Sequence, residues 1–160
     1  SRASAAPGCG QVWGSLPEAD EIAVPTGVVT GVRAGRHACF DRLVVDVAGR
    51  LAGYSVRYVP QVRADGSGDP VPLRGGAFLE VVVHAPSYDD AGAATFTPPS
   101  PAEVVDVGGF GTFRQVGWGG SFEGWTTLGL GVRARLPFET VLIEGPGDRA
   151  RLVVDVAHRW

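Results

Sequence analysis

The amino-acid sequence predicts an all-β protein folded as a two-sheet β-sandwich, and three features support this prediction. Valine, with 24 residues, outnumbers leucine, with 10, and β-branched side chains favour strands. A further 24 glycines and 12 prolines divide the chain into short segments. No stretch shows a sustained apolar period of about 3.6 residues, so helix should be minor. Many short strands separated by turns are typical of a sandwich or a barrel.

Apolar runs bounded by glycine, proline and polar turn residues define the strands in order. The clearest alternation places Tyr54, Val56 and Tyr58 on one face of the third strand, and a turn at residues 65–68 follows that strand. Residues 86–101 form a connection whose length is usual in functional or mobile loops. The predicted strands are residues 27–33, 41–47, 54–63, 77–85, 103–107, 112–118, 122–132, 138–143 and 151–157.

The chain repeats two short blocks in the same order. Gly-Val-Arg-Ala occurs at residues 31–34 and 131–134, and Arg-Leu-Val-Val-Asp-Val occurs at residues 42–47 and 151–156. This order favours an internal pseudo-duplication, with the related strands in two different sheets. In each longer copy Arg, Val and Asp share one face of the strand. We interpret their aspartates as cross-strand partners of arginine rather than as catalytic groups.

Composition excludes several classes of chemistry. The sequence has no Lys, Met or Asn, so all 14 basic residues are Arg. A Walker-type phosphate loop, a Schiff base and N-glycosylation are therefore excluded. We attribute the arginine bias to a GC-rich genome. The net charge of -3 argues against a nucleic-acid partner, and no apolar run reaches the roughly 20 residues of a transmembrane segment.

Length and cysteine content indicate the organisation of the chain. The 160 residues fit one domain, predicted at residues 10–160, after a linker or tail at residues 1–9. An export signal or a lipid anchor is expected upstream. Cys9 and Cys39 are either two buried thiols or a disulfide that closes a loop of about 31 residues, worth roughly 3–4 kcal/mol. We favour the disulfide, and with it an oxidising, extracytoplasmic compartment.

Motifs for catalysis, cofactors and metals are weak. Residues 129–134 fit the dinucleotide fingerprint formally, but Arg-Leu-Pro-Phe follows them instead of a helix, so we reject this match. The three histidines lack zinc-site spacing, and we predict no cofactor, no metal and no catalytic residues. Carboxylates could still form a glycosidase pair, whose separation the sequence does not supply. The candidates for such a pair are Asp41, Asp46, Glu80, Glu123 and Asp155.

Aromatic and charged residues near a glycine-rich corner offer the better argument for binding. Trp118, Phe122 and Trp125 flank residues 117–124, and an aromatic face with a few directed polar groups can hold a sugar or a peptide. The alternative is that these aromatic side chains fill the core. The candidate ligand-binding residues are Trp118, Glu123, Trp125, Arg133 and Arg135.

Five segments together resemble the AMIN-like domain proteins of actinobacteria; they are residues 31–37, 40–46, 53–59, 120–124 and 155–158. The resemblance extends from about Gly10 to Trp160. It implies a secreted protein or lipoprotein, related to the AMIN domain of cell-wall amidases and secretins, a sandwich of two similar sheets associated with peptidoglycan. No activity and no catalytic residues carry over from this family.

Together these features predict a non-catalytic, extracytoplasmic module of the cell envelope that recognises cell-wall glycan or peptidoglycan. Two alternatives stay open. One is a protein-interaction module that engages an envelope protein through a strand edge or through residues 86–101. The other is a wall hydrolase that uses a carboxylate pair.

Overall fold

The structure is a computed structural model that describes residues 9–10, 12–22, 24 and 26–160. Residues 1–8 of the predicted tail lie outside this part of the chain. Within the described residues the chain forms nine strands and no helix. These strands are β1 (Glu18–Glu21), β2 (Val28–Arg36), β3 (Phe40–Ala48), β4 (Gly53–Val59), β5 (Ala77–Val83), β6 (Phe113–Phe122), β7 (Trp125–Val132), β8 (Phe138–Glu144) and β9 (Arg149–Ala157).

The strands form two antiparallel sheets that pack face to face. One sheet has the order β1-β4-β5-β7-β6, and the other has the order β2-β3-β9-β8. Their inner faces meet in one hydrophobic cluster, because alternate side chains of each strand point toward the facing sheet. Leu43 and Leu152 supply it from one sheet, and Leu79 and Leu130 supply it from the other, all with no exposed surface. The predicted all-β sandwich is confirmed.

One predicted strand is wrong and one observed strand was not predicted, each for a physical reason. Residues 103–107 form no strand; Val104 and Val107 are buried against the core from an irregular segment, so their apolar character reflects packing alone. Conversely, β1 was missed, because its sequence Glu-Ala-Asp-Glu carries no apolar pattern. It forms an edge strand through main-chain pairing with β4, and its polar side chains suit an exposed edge.

The repeated blocks do not divide between the sheets as expected. Both Arg-Leu-Val-Val-Asp-Val copies lie in the four-stranded sheet, where β3 and β9 are direct antiparallel neighbours. The expectation of one copy in each sheet is therefore wrong, because an alternating pattern specifies which face is buried but not the neighbouring strand. The predicted cross-strand pairing is confirmed: Arg42 donates to Asp155 from Nε at 2.8 Å and from Nη2 at 2.9 Å.

An irregular segment after β4 covers much of the outer face of the five-stranded sheet. Leu73 lies over Gly129, where a Cβ would stand 2.7 Å from the Leu73 Cδ1 atom. Glycine at this position therefore leaves room for the covering side chain. All of β7 is buried except its first residue, Trp125. The end of the sheet around Trp125 is thus left open to solvent.

The predicted disulfide is confirmed. Cys9 and Cys39 are bonded, with their Cα atoms 5.3 Å apart. The bond joins the segment before β1 to the turn between β2 and β3. Nearby, the rings of Trp13 and Phe40 lie 5.7 Å apart, which adds an apolar contact to the covalent one.

Candidate functional site

A row of residues crosses the open end of the five-stranded sheet on its outer face. Glu21 pairs with Gly53, and the amide of His84 donates to the carbonyl of Gly53 at 3.0 Å. On the neighbouring strands β5 and β7, Val83 pairs with Thr126. His84 follows Val83 and Trp125 precedes Thr126, so His84 and Trp125 lie side by side. Val83 and Thr126 are fully buried, so by alternation the neighbouring His84 and Trp125 face outward.

His84 and Trp125 form a flat aromatic surface. Their ring centroids are 3.9 Å apart and their planes differ by 8°, so the rings are stacked in parallel. Neighbouring strands bring the two side chains to the short cross-strand distance at which aromatic pairs stabilise a sheet. Trp125 nevertheless keeps 47% of its surface exposed. Such a large exposed ring is available to a ligand.

The turn between β6 and β7 places a carboxylate beside this surface. Glu123 and Gly124 form a two-residue hairpin turn, with φ angles of 51° and 86°. Positive φ at both central positions is the requirement of a type I′ turn. The amide of Gly124 donates to the hydroxyl of Tyr88 at 3.1 Å. Tyr88 belongs to the connection at residues 86–101, so that connection supports the turn.

These groups enclose an open cavity of about 510 Å³. Two carboxylates, Glu21 and Glu123, line it together with His84 and Trp125, and none of the described residues that line it is cationic. Burial lowers the pKa of His84, and the nearby Glu21 opposes this effect in part. The imidazole is therefore neutral at neutral pH, and the cavity carries negative charge.

The structure brings together only two of the five predicted site residues, Glu123 and Trp125. Trp118 is half-buried, packs against the core and lies 5.6 Å from the ring of Phe96. This position matches the alternative in which the aromatic residue fills the interior. Trp118 lines a different cavity, together with Pro72 and Leu73.

Arg133 and Arg135 lie past the opposite end of β7 from Trp125. Seven residue steps along a strand span about 24 Å, which separates these arginines from the aromatic surface. Arg133 donates from Nη2 to the carbonyl of His158. Arg135 donates from Nε to the hydroxyl of Ser15 at 3.2 Å, and its guanidinium stands 4.9 Å from the Tyr58 ring centroid. Both arginines therefore hold segments near the two ends of the chain.

A second polar group superficially resembles a catalytic triad. The hydroxyl of Thr112 lies 2.7 Å from Nδ1 of His158, whose Nε2 is 3.9 Å from Oδ1 of Asp41. Thr112 and Asp41 have no exposed surface, so a substrate could not reach the hydroxyl. Asp41 instead accepts from the amides of Thr112 and Phe113 at 2.7 and 2.9 Å. This arrangement joins the two sheets, so its role is structural and not catalytic.

The AMIN-like domain model matches residues 27–158, which include eight of the nine strands. The chain belongs to the AMIN-like domain family. No curated protein and no solved structure matches it. Membership in the AMIN-like family indicates a module of the cell envelope, and the Cys9–Cys39 disulfide is consistent with an extracytoplasmic location.

Two residues of the candidate site were missed by sequence reasoning. His84 lies one residue before the end of the predicted strand at residues 77–85, but only the order β4-β5-β7 shows that it meets Trp125. Glu21 lies on β1, which no pattern indicates, and falls outside the segment matched by the AMIN-like model. Nothing local in the sequence identifies either residue, because strand order is a property of the whole fold.

No group of three or more potential metal ligands occurs among the residues that the structure describes. The same residues contain no helix of the length and apolar character needed to cross a bilayer.

Proposed function

We propose that this AMIN-like domain is a non-catalytic module of the cell envelope, secreted or anchored by a lipid, that binds cell-wall glycan at the Trp125–His84 surface. The observation that carries the proposal is the half-exposed Trp125, held flat against His84 beside Glu21 and Glu123. A rigid aromatic plane with adjacent hydrogen-bond acceptors suits a pyranose ring, which has an apolar C–H face and a polar rim.

Each part of the site has a role in this proposal. The negative face of the indole attracts the partly positive C–H groups of a sugar, and its area supplies the apolar contact. Stacking against His84 fixes the indole plane before the ligand arrives, which reduces the ordering cost of binding. The carboxylates of Glu21 and Glu123 can only accept hydrogen bonds, which hydroxyl and acetamido N–H groups of a glycan would donate.

The charge of the cavity supports a choice of ligand. Because the described residues of its lining include two carboxylates and no cation, the cavity would repel an anionic sugar. We therefore expect uncharged N-acetylated sugars of the glycan strand to bind here, rather than the carboxylates of its peptide stems.

The first experiment mixes the purified domain with insoluble cell wall from its own organism. The domain should sediment with the wall, and soluble N-acetylglucosamine oligomers should release it. If the domain stays in the supernatant, the proposal is wrong. If cross-linking from residues 86–101 instead captures one envelope protein, the protein-interaction function replaces it. Release of soluble sugar fragments from the wall would contradict the non-catalytic part.

The second experiment locates the site with two tryptophan variants. Trp125→Ala should weaken binding of an N-acetylglucosamine oligomer by about tenfold or more, as is usual when an aromatic anchor is removed. Trp160→Ala is the matched control, because Trp160 is 72% exposed and lies outside the cavity. Titrations followed by calorimetry should separate the variants. Equal losses in both would assign the binding to another surface.

A further inference from the structure

The two copies of Arg-Leu-Val-Val-Asp-Val pair with each other, and their pairing is unequal at its two ends. Antiparallel alignment sets Arg42 opposite Asp155, and it sets Asp46 opposite Arg151. At the first end Arg42 and Asp155 form a two-pronged ion pair. At the second end the equivalent pair is absent, although the same residue types face each other.

The second pair is absent because a third strand supplies a competing arginine. Arg33 on β2 donates from Nε to Asp46 Oδ2 at 2.7 Å and from Nη2 to Oδ1 at 2.8 Å. Gly31 pairs with Asp46 and leaves space beside its carboxylate, since a Cβ there would lie 3.3 Å from Oδ2. At the other end the outer neighbour of Asp155 is Glu139 on β8, which cannot compete for a carboxylate.

The consequence is a pair of arginines that have no acidic partner among the described residues. Arg149 and Arg151 are alternate residues of β9, so both point to the outer face of the four-stranded sheet. Neither forms an ion pair or a side-chain hydrogen bond with any other described residue. The neighbouring Glu144 is already engaged, since both its oxygens lie 3.2 Å from Nη2 of Arg50.

These arginines line a cleft of about 430 Å³ with Arg33, Asp46 and Thr30. Three guanidinium groups and one carboxylate give its lining a formal charge of +2, within a chain whose net charge is -3. The Asp46 carboxylate is occupied by Arg33, so no side chain among the described residues engages the donors of Arg149 and Arg151. Planar guanidinium groups bind phosphate and carboxylate oxygens in forked pairs.

We propose that this cleft is an oxyanion-binding site for a polyanionic chain that carries phosphate or carboxylate groups. Alternate residues of a strand are about 7 Å apart, so Arg149 and Arg151 can contact successive charges of one ligand. The site lies on the opposite sheet from the Trp125–His84 surface and selects the opposite charge. It therefore goes beyond glycan binding and does not depend on it.

The test uses two probes and a charge-matched control. Tripolyphosphate and trigalacturonate are titrated into the domain by calorimetry at low ionic strength. Arg149→Gln/Arg151→Gln should weaken binding by about tenfold or more, the range expected for lost charge-assisted hydrogen bonds. The control Arg57→Gln/Arg159→Gln removes the same charge from residues outside the cleft and should change affinity less than about threefold. Thermal unfolding of each variant verifies its fold.

A third variant tests the role of the carboxylate in the opposite direction. Asp46→Asn raises the charge of the cleft and weakens the hold on Arg33, so affinity for the preferred probe should increase.

Preference for tripolyphosphate assigns phosphate as the ligand group, and preference for trigalacturonate assigns carboxylate. If the wild-type domain binds neither probe, or if the cleft and control variants bind equally, the proposal is wrong. Binding of N-acetylglucosamine oligomers should be the same in wild type and Arg149→Gln/Arg151→Gln, which separates this test from that of the glycan site.

Discussion

Asp41 shows how one residue can join the two sheets. It lies on β3 with no exposed surface, and Oδ2 accepts from the amides of Thr112 and Phe113, where β6 of the other sheet begins. Its second oxygen, Oδ1, has no hydrogen-bond partner among the described residues. The stabilising role therefore belongs to one acceptor atom that satisfies two buried amides.

This geometry predicts an order among variants of Asp41. Asp41→Ala leaves two buried N–H groups without an acceptor and should lower the free energy of unfolding by about 3 kcal/mol. Asp41→Asn keeps an acceptor oxygen and should cost about 1 kcal/mol. Urea unfolding measures both, with the exposed Asp90→Ala as a control that should change little. Equal losses in the two Asp41 variants would show that the charge, not the acceptor, is required.

His84 makes stability depend on pH. Burial lowers its pKa from the ordinary value of 6.5, while Glu21 on β1 opposes the effect; Glu123 of the hairpin turn lines the same cavity. As pH falls below about 6.5, the unfolded chain takes up the proton first, so the folded state loses stability until the pH reaches the lowered pKa. Above about pH 6.5 the full stability is present.

The variant His84→Gln should remove this contribution. Urea unfolding of both proteins between about pH 7.5 and pH 5 should show that wild type loses more stability than the variant as the pH falls. The difference between the two curves isolates His84 from the carboxylates that titrate lower. A difference that stays constant across this range would contradict the lowered pKa.

At the scale of strands, the sequence predicts which face of a strand is buried, but it does not predict which strands lie next to each other in a sheet. The alternation in β3 and β9 separates Leu43 and Leu152 from the face that Arg, Val and Asp share, and both leucines are buried in the structure, because each face of a strand meets one environment. Two of the candidate site residues, Glu123 and Trp125, lie together because they belong to one tight hairpin. Arg133 and Arg135 are close in sequence too, but strand extension carries them to the far end of β7.

Ion pairs between strands should differ in strength according to burial. Asp155 has 6% of its side chain exposed and binds Arg42 through two hydrogen bonds, whereas Arg50 and Glu144 are 51% and 43% exposed. Double-mutant cycles with alanine should give a coupling energy of about 1–2 kcal/mol for Arg42 with Asp155. Arg50 with Glu144 should give less than about 0.5 kcal/mol. Equal couplings would show that burial of Asp155 does not strengthen its pair.

At the scale of the whole molecule, the two outer faces of the sandwich differ in charge. The five-stranded sheet is largely covered and leaves an acidic, aromatic cavity at one end, while the four-stranded sheet carries the arginine cleft. A glycan with uncharged sugars and a separate polyanion could therefore occupy opposite faces at once. The internal repeat contributes to this asymmetry, since Asp46 binds Arg33 and leaves Arg151, on the opposite strand, without an ion pair among the described residues.

The Cys9–Cys39 disulfide links the segment before β1 to the four-stranded sheet, and its reduction tests how much the sandwich relies on this link. The bond spans 30 positions, and the chain-entropy model gives such a loop about 3–4 kcal/mol of stability. Reduction should therefore lower the unfolding midpoint by about 10 °C in a domain of this size. Cys9→Ser/Cys39→Ser should match the reduced protein and should not respond to reductant. A loss below about 1 kcal/mol would show that the sheets and their shared core hold the N-terminal segment without the bond.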